Sequence, residues 1–178
     1  MKKLNLTIIV PCYNVEKYVE KSIKSILEQT YESIKIIAID DCSTDKTFSK
    51  ITELQHKYSD KLQVYQNEKN KGLAYTRNRG IKLADSEFIG FIDSDDYIDN
   101  EYYEKLMTTL AKNEADIAIA DMQLVDEDGN LLGTVQSGIN PEETELKKAA
   151  IDNGLAASAC NKVFRKTLIE KYLFLEGK

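Results

Sequence analysis

Only two prolines and no tryptophan occur in 178 residues, alongside one histidine, three cysteines and eight glycines. So few helix breakers exclude proline-rich linkers and low-complexity stretches, and with 42% hydrophobic residues most of the chain is expected to be ordered. Cys12, Cys42 and Cys160 form neither a disulfide framework nor a metal-ligand spacing. The lone His56 sits in the charged run Gln55-His56-Lys57 and reads as a solvated side chain rather than a catalytic one. A run of about 18 apolar residues is missing, so nothing in this chain is expected to span a membrane. The short apolar stretch after Met1-Lys2-Lys3-Leu4 lacks the length and small-residue cleavage site of a signal peptide, which predicts a cytoplasmic protein. A formal charge of −6 argues against a nucleic-acid surface, which needs a basic face. No G-x-G-x-x-G or G-x-x-x-x-G-K-[ST] sequence is present, so dinucleotide-fold and P-loop readings lack their signatures.

What the chain does have is a series of short isoleucine- and valine-rich runs, at residues 6–10, 34–39, 62–65, 88–92 and 117–120. Their centres lie roughly 25 to 30 residues apart, about one strand-helix-strand unit. Continuous apolar character points to strands buried on both faces, as in a parallel sheet. Between the runs lie stripes at helical spacing. The first is Val15, Tyr18, Val19, Ile23, Ile26 and Leu27, with Asn14 as its expected cap; the second is Phe48, Ile51, Leu54 and Tyr58, with Ser43 or Thr44 available to cap it. Leu73, Ala74, Ile81 and Ala84 make a weaker third, and Tyr103, Leu106, Met107, Leu110 and Ala111 a clean fourth. This alternation predicts an α/β fold: an open, mostly parallel sheet flanked by helices. After residue 120 the pattern changes. Residues 122–125 and 131–135 flank Asp126-Glu127-Asp128-Gly129-Asn130 and predict a small β-hairpin after the fifth strand. Residues 142–152 and 163–172 are expected to be helical.

Two acidic clusters follow apolar runs: Asp40-Asp41, and Asp93-Ser94-Asp95-Asp96. Carboxylates so close repel one another, and a hard divalent cation with oxygen ligands is the usual compensation. In an open α/β sheet ligands gather at the carboxyl ends of strands, where both clusters fall. Position and chemistry together point to a metal-bound, phosphate-bearing ligand.

These residues carry a family resemblance. Thr7-Ile8-Ile9-Val10-Pro11-Cys12-Tyr13-Asn14 resembles the opening strand and nucleotide-side loop of family 2 glycosyltransferases of the GT-A fold, and Ser25-Ile26-Leu27-Glu28-Gln29-Thr30-Tyr31 is similar to the end of their first helix. Asp40-Asp41-Cys42-Ser43-Thr44-Asp45 matches their D-D-x-S-x-D motif. Residues 70–81 match N-x-G-x-x-x-A-R-N-x-G with threonine in place of alanine, and Asp93-Ser94-Asp95-Asp96 matches the D-x-D element. The motifs keep the family's order and spacing across nearly the whole chain, which reads as a single domain, 1–178, with a GT-A (Rossmann-like) sheet.

The resemblance implies transfer of a sugar from a nucleotide-diphosphate donor to a saccharide or lipid-linked saccharide acceptor, in cell-surface or extracellular polysaccharide synthesis, at or near the inner face of the cell membrane. It implies that Asp41 accepts a hydrogen bond from the base. An imide N–H of the uracil type suits a carboxylate, which favours a UDP-sugar. Pro11, Tyr13 and Asn14 would line the nucleotide side, and Arg77 the diphosphate side, where a guanidinium forks onto phosphate oxygens. Asp93 would face the ribose with Ser94 beside it, and Asp95 and Asp96 would hold Mg²⁺ or Mn²⁺. Arg79 reads as surface, Gly72 as a turn and Gly80 as a close-packing position. Asn161 and Lys162, in a segment similar to W-N-K-[LV]-[YF] but without its tryptophan, would help form the acceptor or diphosphate side. Cysteine stands at position 42 where the family commonly has glycine, and Cys12 and Cys42 are expected at neighbouring strand exits. The general base of an inverting transfer is expected beyond Lys178. A sugar-phosphate nucleotidyltransferase is the rival enzyme, although Pro11-Cys12-Tyr13-Asn14 stands where that class has a glycine-rich basic loop. A catalytically silent nucleotide-sugar-binding module is the rival from another class.

Overall fold

The protein is described by a computed structural model that covers residues 4–126, 128–135 and 158–177. Its first five strands follow the apolar runs: β1 (Leu6–Cys12), β2 (Ile34–Asp40), β3 (Leu62–Gln66), β4 (Phe88–Phe91) and β5 (Ile117–Ile119). The amphipathic stripes between them fold as α1 (Val19–Leu27), α2 (Thr47–Lys57), α3 (Leu73–Leu83) and α4 (Tyr102–Asn113). The hairpin is formed by β6 (Met122–Val125) and β7 (Leu131–Val135), a separate antiparallel pair. Its turn is drawn in by Asp126, whose Oδ1 accepts from the Asp128 and Asn130 amides at 3.0 and 2.8 Å.

The main sheet runs in the order β3-β2-β1-β4-β8-β5, where β8 is Lys162–Arg165. Strands β3, β2, β1 and β4 are mutually parallel; β8 runs antiparallel to both β4 and β5. All seven residues of β1 are buried because it sits mid-sheet with helices on both faces. Alternate side chains serve two cores. Leu6, Ile8 and Val10 pack with Ile23, Ile51 and Met107 from α1, α2 and α4. Ile9 faces the other way, toward Ile37, Ile81, Ile89 and Phe91, joined by Ile169 of the short helix α5 (Lys166–Ile169).

Three local expectations are corrected. Residues 163–165 form part of β8, not a helix: Val163 and Phe164 fill the gap between β4 and β5 in register with Gly90 and Ile89 on one side and Ala118 and Ile117 on the other. A free ladder on both sides outweighs the local helical pattern, and only residues 166–169 beyond it are helical. Asn14 does not cap α1, which begins at Val19; its side chain instead accepts from the Thr44 amide at 2.8 Å. The start of α2 is served by Asp45, which accepts from the Thr47 amide at 2.9 Å, rather than by Ser43 or Thr44. The helix expected over 142–152 lies outside the described residues.

Gly80 is the close-packing position expected. A Cβ there would lie 2.4 Å from Cγ2 of Ile9, so α3 rests directly on β1. Gly80→Ala is predicted to destabilise the fold by about 1–3 kcal/mol, the usual range for overpacking. Chemical denaturation would check it, with a lowered midpoint at unchanged slope as the expected result.

Candidate functional site

The chain order reverses beside β1: it runs outward to β2 and β3, then returns to β4 on the other side. The loops leaving β1 and β4 therefore diverge and open a crevice at the carboxyl ends of the strands. Both acidic clusters lie there.

Asp41 continues the β1–β2 ladder by donating its amide to the Cys12 carbonyl at 2.8 Å. Its buried carboxylate organises the loop after β3. Oδ1 accepts from Asn67 Nδ2 at 2.7 Å and from the Lys71 amide at 2.9 Å, and Oδ2 accepts from the Gly72 amide at 2.8 Å. Three accepted bonds leave lone-pair capacity for one further donor. Gly72 adopts φ +85°, which a side-chain-bearing residue rarely takes, and so acts as the expected turn. Beside Asp41 is a cavity of about 160 Å³ lined by Pro11, Cys12, Tyr13, Asn70, Leu73 and Thr76. Tyr13 is 46% exposed and is not a core residue. The side chains of Asn70, Leu73 and Thr76 belong to the matched 70–81 segment; its asparagine-glycine signature locates them, although composition alone does not.

Asp40 is fully buried. Its Oδ2 accepts from the Ser43 amide at 3.1 Å and from Gln66 Nε2 at 3.0 Å, while Oδ1 has no partner. It braces the loop from beneath. Asn14 ties the β1 and β2 exits together: its amide donates to Ser43 Oγ at 3.0 Å and its side-chain oxygen accepts from Thr44. This inter-loop role holds Asn14 at φ +52°.

At the β4 exit, Asp93 to Asp96 form a turn closed by the Asp96 amide donating to the Asp93 carbonyl at 3.0 Å. Ser94 is buried, and Asp95 and Asp96 are exposed. Desolvation, followed by the charges of Asp95 and Asp93, pushes the Asp96 carboxyl above its usual value. That unrelieved repulsion, with hard oxygen donors only, fits Mg²⁺ or Mn²⁺ taking further ligands from phosphate and water. Among the described residues no three His, Cys, Asp or Glu side chains are assembled into a complete cation cage.

Arg77 is buried. Its Nη2 donates to Asp93 Oδ1 at 2.8 Å and to Cys160 Sγ at 3.6 Å, and its guanidinium lies 5.2 Å from the Phe174 ring and 6.0 Å from Phe91. Asn78, unremarked in the motif beyond its match, grips the chain near residue 174: it accepts from the Phe174 amide at 3.0 Å and donates to the Phe174 carbonyl at 2.9 Å. Arg79 is not the idle surface residue expected. It donates to the Gln66 carbonyl at 2.8 Å and to Asn67 Oδ1 at 2.5 Å, stapling α3 to the loop that embraces Asp41. The buried Lys162 donates to Asn161 Oδ1 at 2.7 Å and to the Ser158 carbonyl, and desolvation lowers its pKa. All three cysteines are free thiols. Burial, then the Asp40 charge, pushes the Cys12 thiol far up, which makes it inert.

Residues 7–173 match the family model described as Glycosyl transferase family 2. The chain is 33% identical to the putative glycosyltransferase EpsH of Bacillus subtilis over 94% of this chain and 48% of that protein. It is 31% identical to the poly(ribitol-phosphate) beta-N-acetylglucosaminyltransferase TarS of Staphylococcus aureus, over 94% of this chain and 28% of that protein. The crystal structure of S. aureus TarS residues 1–349 in complex with UDP-GlcNAc superposes with a TM-score of 0.79 at 29% identity, over 97% of this chain and 49% of that one. The chain thus spans about half the length, or less, of these relatives. The α/β architecture expected from the sequence, a GT-A sheet, is the one found.

The raised Asp96 carboxyl carries a signed pH dependence. A carboxyl whose folded pKa exceeds its unfolded value binds more protons when folded, so its contribution to stability falls as pH rises through that window. Asp96→Asn is therefore predicted to stabilise the metal-free protein at neutral pH, by less than about 1 kcal/mol because the group is partly solvated. The gain should vanish below the ordinary carboxylate range, as read from melting temperatures across a pH series in EDTA.

Proposed function

The chain belongs to glycosyl transferase family 2, and we propose that it forms the donor-binding part of an inverting, metal-dependent glycosyltransferase that uses a UDP-sugar. The observation that carries this reading is the placement, at the carboxyl ends of the neighbouring strands β2, β1 and β4, of both the cavity beside Asp41 and the acidic turn of Asp93 to Asp96. Pro11 and Tyr13 flank the base, and the remaining acceptor capacity of Asp41 takes its imide N–H. Asn14 shapes that wall through its bonds to Ser43 and Thr44. Asp93 and Ser94 face the ribose. Asp95 and Asp96 hold Mg²⁺ or Mn²⁺, which when bound supplies charge neutralisation at the diphosphate. The buried Lys162 and Asn161 stand at the start of β8, two strands from β1, and suit the diphosphate or acceptor side.

A uridine donor is supported by the chemistry of Asp41 and by the UDP-GlcNAc held by TarS. The acceptor in this reading is a saccharide or lipid-linked saccharide in surface or extracellular polymer synthesis; the poly(ribitol-phosphate) in the name of TarS supports a polymer as acceptor, not its sugar class. The working site in this reading is the cytoplasm or the inner face of the cell membrane, in keeping with a described structure where no helix is long and apolar enough to cross a membrane.

Thermal melting with UDP, GDP, CMP and dTDP, each with Mn²⁺ or with EDTA, tests the reading. UDP with Mn²⁺ at about 100 times Kd should add roughly 2.7 kcal/mol, a rise of roughly 5–10 °C for a domain of this size. The rise should disappear in EDTA and in Asp95→Ala. A shift with another nucleotide alone would reassign the donor, and no shift with any would refute the donor site.

A further inference from the structure

We propose that Arg77 is a positioning residue: it serves the donor site through Asp93, whose carboxylate it orients, instead of gripping the diphosphate itself. The inference rests on the donor-site reading above and adds a role within it. The Arg77 side chain is only 10% exposed, and Nη2 is committed to Asp93 Oδ1 at 2.8 Å and to Cys160 Sγ at 3.6 Å. Its Nε is buried without a partner. Phe91 and Phe174 meet edge to face, 5.4 Å between centroids, and the guanidinium packs against both. With Nη2 engaged and Nε enclosed, a two-pronged grip on a phosphate would require breaking the ion pair to Asp93.

The enclosure is itself fastened. Asn78, the next residue along α3, pairs both backbone groups of Phe174 and donates to Glu176 Oε1 at 2.9 Å, so the ring that covers Arg77 is held from the same helix that carries the arginine. Asp93, by contrast, keeps 39% of its side chain exposed. A carboxylate pinned at Oδ1 and still partly exposed is oriented for a ligand, while the cation that pins it is largely enclosed. Arg77 and Asn78 together thus fix the first carboxylate of the acidic turn.

Titration calorimetry with UDP and with uridine, both in Mn²⁺, on the wild type, Arg77→Ala, Asp93→Asn and the double variant, tests this, with each protein first shown to melt cooperatively. Arg77→Ala should weaken uridine and UDP by the same factor, about tenfold, the equivalent of one hydrogen bond to a charged group. The double variant should bind no more weakly than Asp93→Asn alone, because both changes remove one interaction. A loss confined to UDP, or losses that multiply in the double variant, would assign Arg77 to the diphosphate. An unchanged Kd in a folded but less stable Arg77→Ala would make the pair purely structural; either result overturns the proposal. If Arg77→Ala does not fold, Arg77→Lys, which keeps the charge but not the fork, supplies the same comparison. Failure of the wild type to bind either compound would instead refute the donor site.

Discussion

The burial of β1 on both faces and both edges is the constraint on which the rest of the structure depends. A strand flanked by parallel neighbours and covered by helices can carry almost no polar side chains along its length, and only Thr7, bonded to Ser86 at 2.7 Å, breaks the apolar run. Polar chemistry is therefore pushed to its end. There the β1/β4 switch sends neighbouring loops apart, and the acidic turn and the cavity beside Asp41 are built from segments that follow β1, β2, β3 and β4. Gly80, pressed on Ile9, brings α3 close enough for its other residues to reach that end.

The two acidic clusters solve the problem of concentrated negative charge differently. Asp41 and Asp40 are buried and are answered largely by the protein: amides of the 67–72 loop, Asn67, Gln66 and the Ser43 amide take up most of their lone pairs. They are rigid, and they shape a cavity. Asp95 and Asp96 are exposed and no cation is paired with them among the described residues; desolvation first, and then the charges of Asp95 and Asp93, raise the Asp96 carboxyl. Asp93 lies between the two cases, half paired by Arg77 and half open. A rigid, satisfied wall beside a turn that still seeks a cation is the electrostatic profile of a site for a charged ligand that brings metal with it.

The segment from Asn70 to Gly80 shows how densely a short motif can be used. Gly72 makes the turn onto Asp41, Thr76 lines the cavity, Arg77 holds Asp93, Asn78 holds Phe174, Arg79 staples the β3 exit and Gly80 packs on β1. Successive residues on a helix point about 100° apart, so the five neighbours from Thr76 to Gly80 reach different surroundings. The motif marks the segment as functional, yet its spacing does not say which residue faces a ligand and which faces the protein. Arg79 is the case in point: on sequence grounds it reads as surface, and only the proximity of the loop after β3 gives its guanidinium two acceptors.

The sequence by itself determined the α/β class, the first five strands, the four amphipathic helices, the hairpin and the two acidic strand exits, because these follow from local hydrophobic period and from charge that cannot be buried unpaired. The tertiary structure alone decided where β8 goes, since a gap between β4 and β5 is a property of the assembled sheet and not of residues 162–165. It likewise decided that Asn14 bridges two loops instead of capping a helix, that Asp41 spends three bonds on the loop after β3, and that Arg77 is enclosed by Asp93, Cys160, Phe91 and Phe174. Each of these partners lies 14 or more residues away in sequence, and hydrogen bonds and ring contacts act over a few ångströms of space irrespective of distance along the chain.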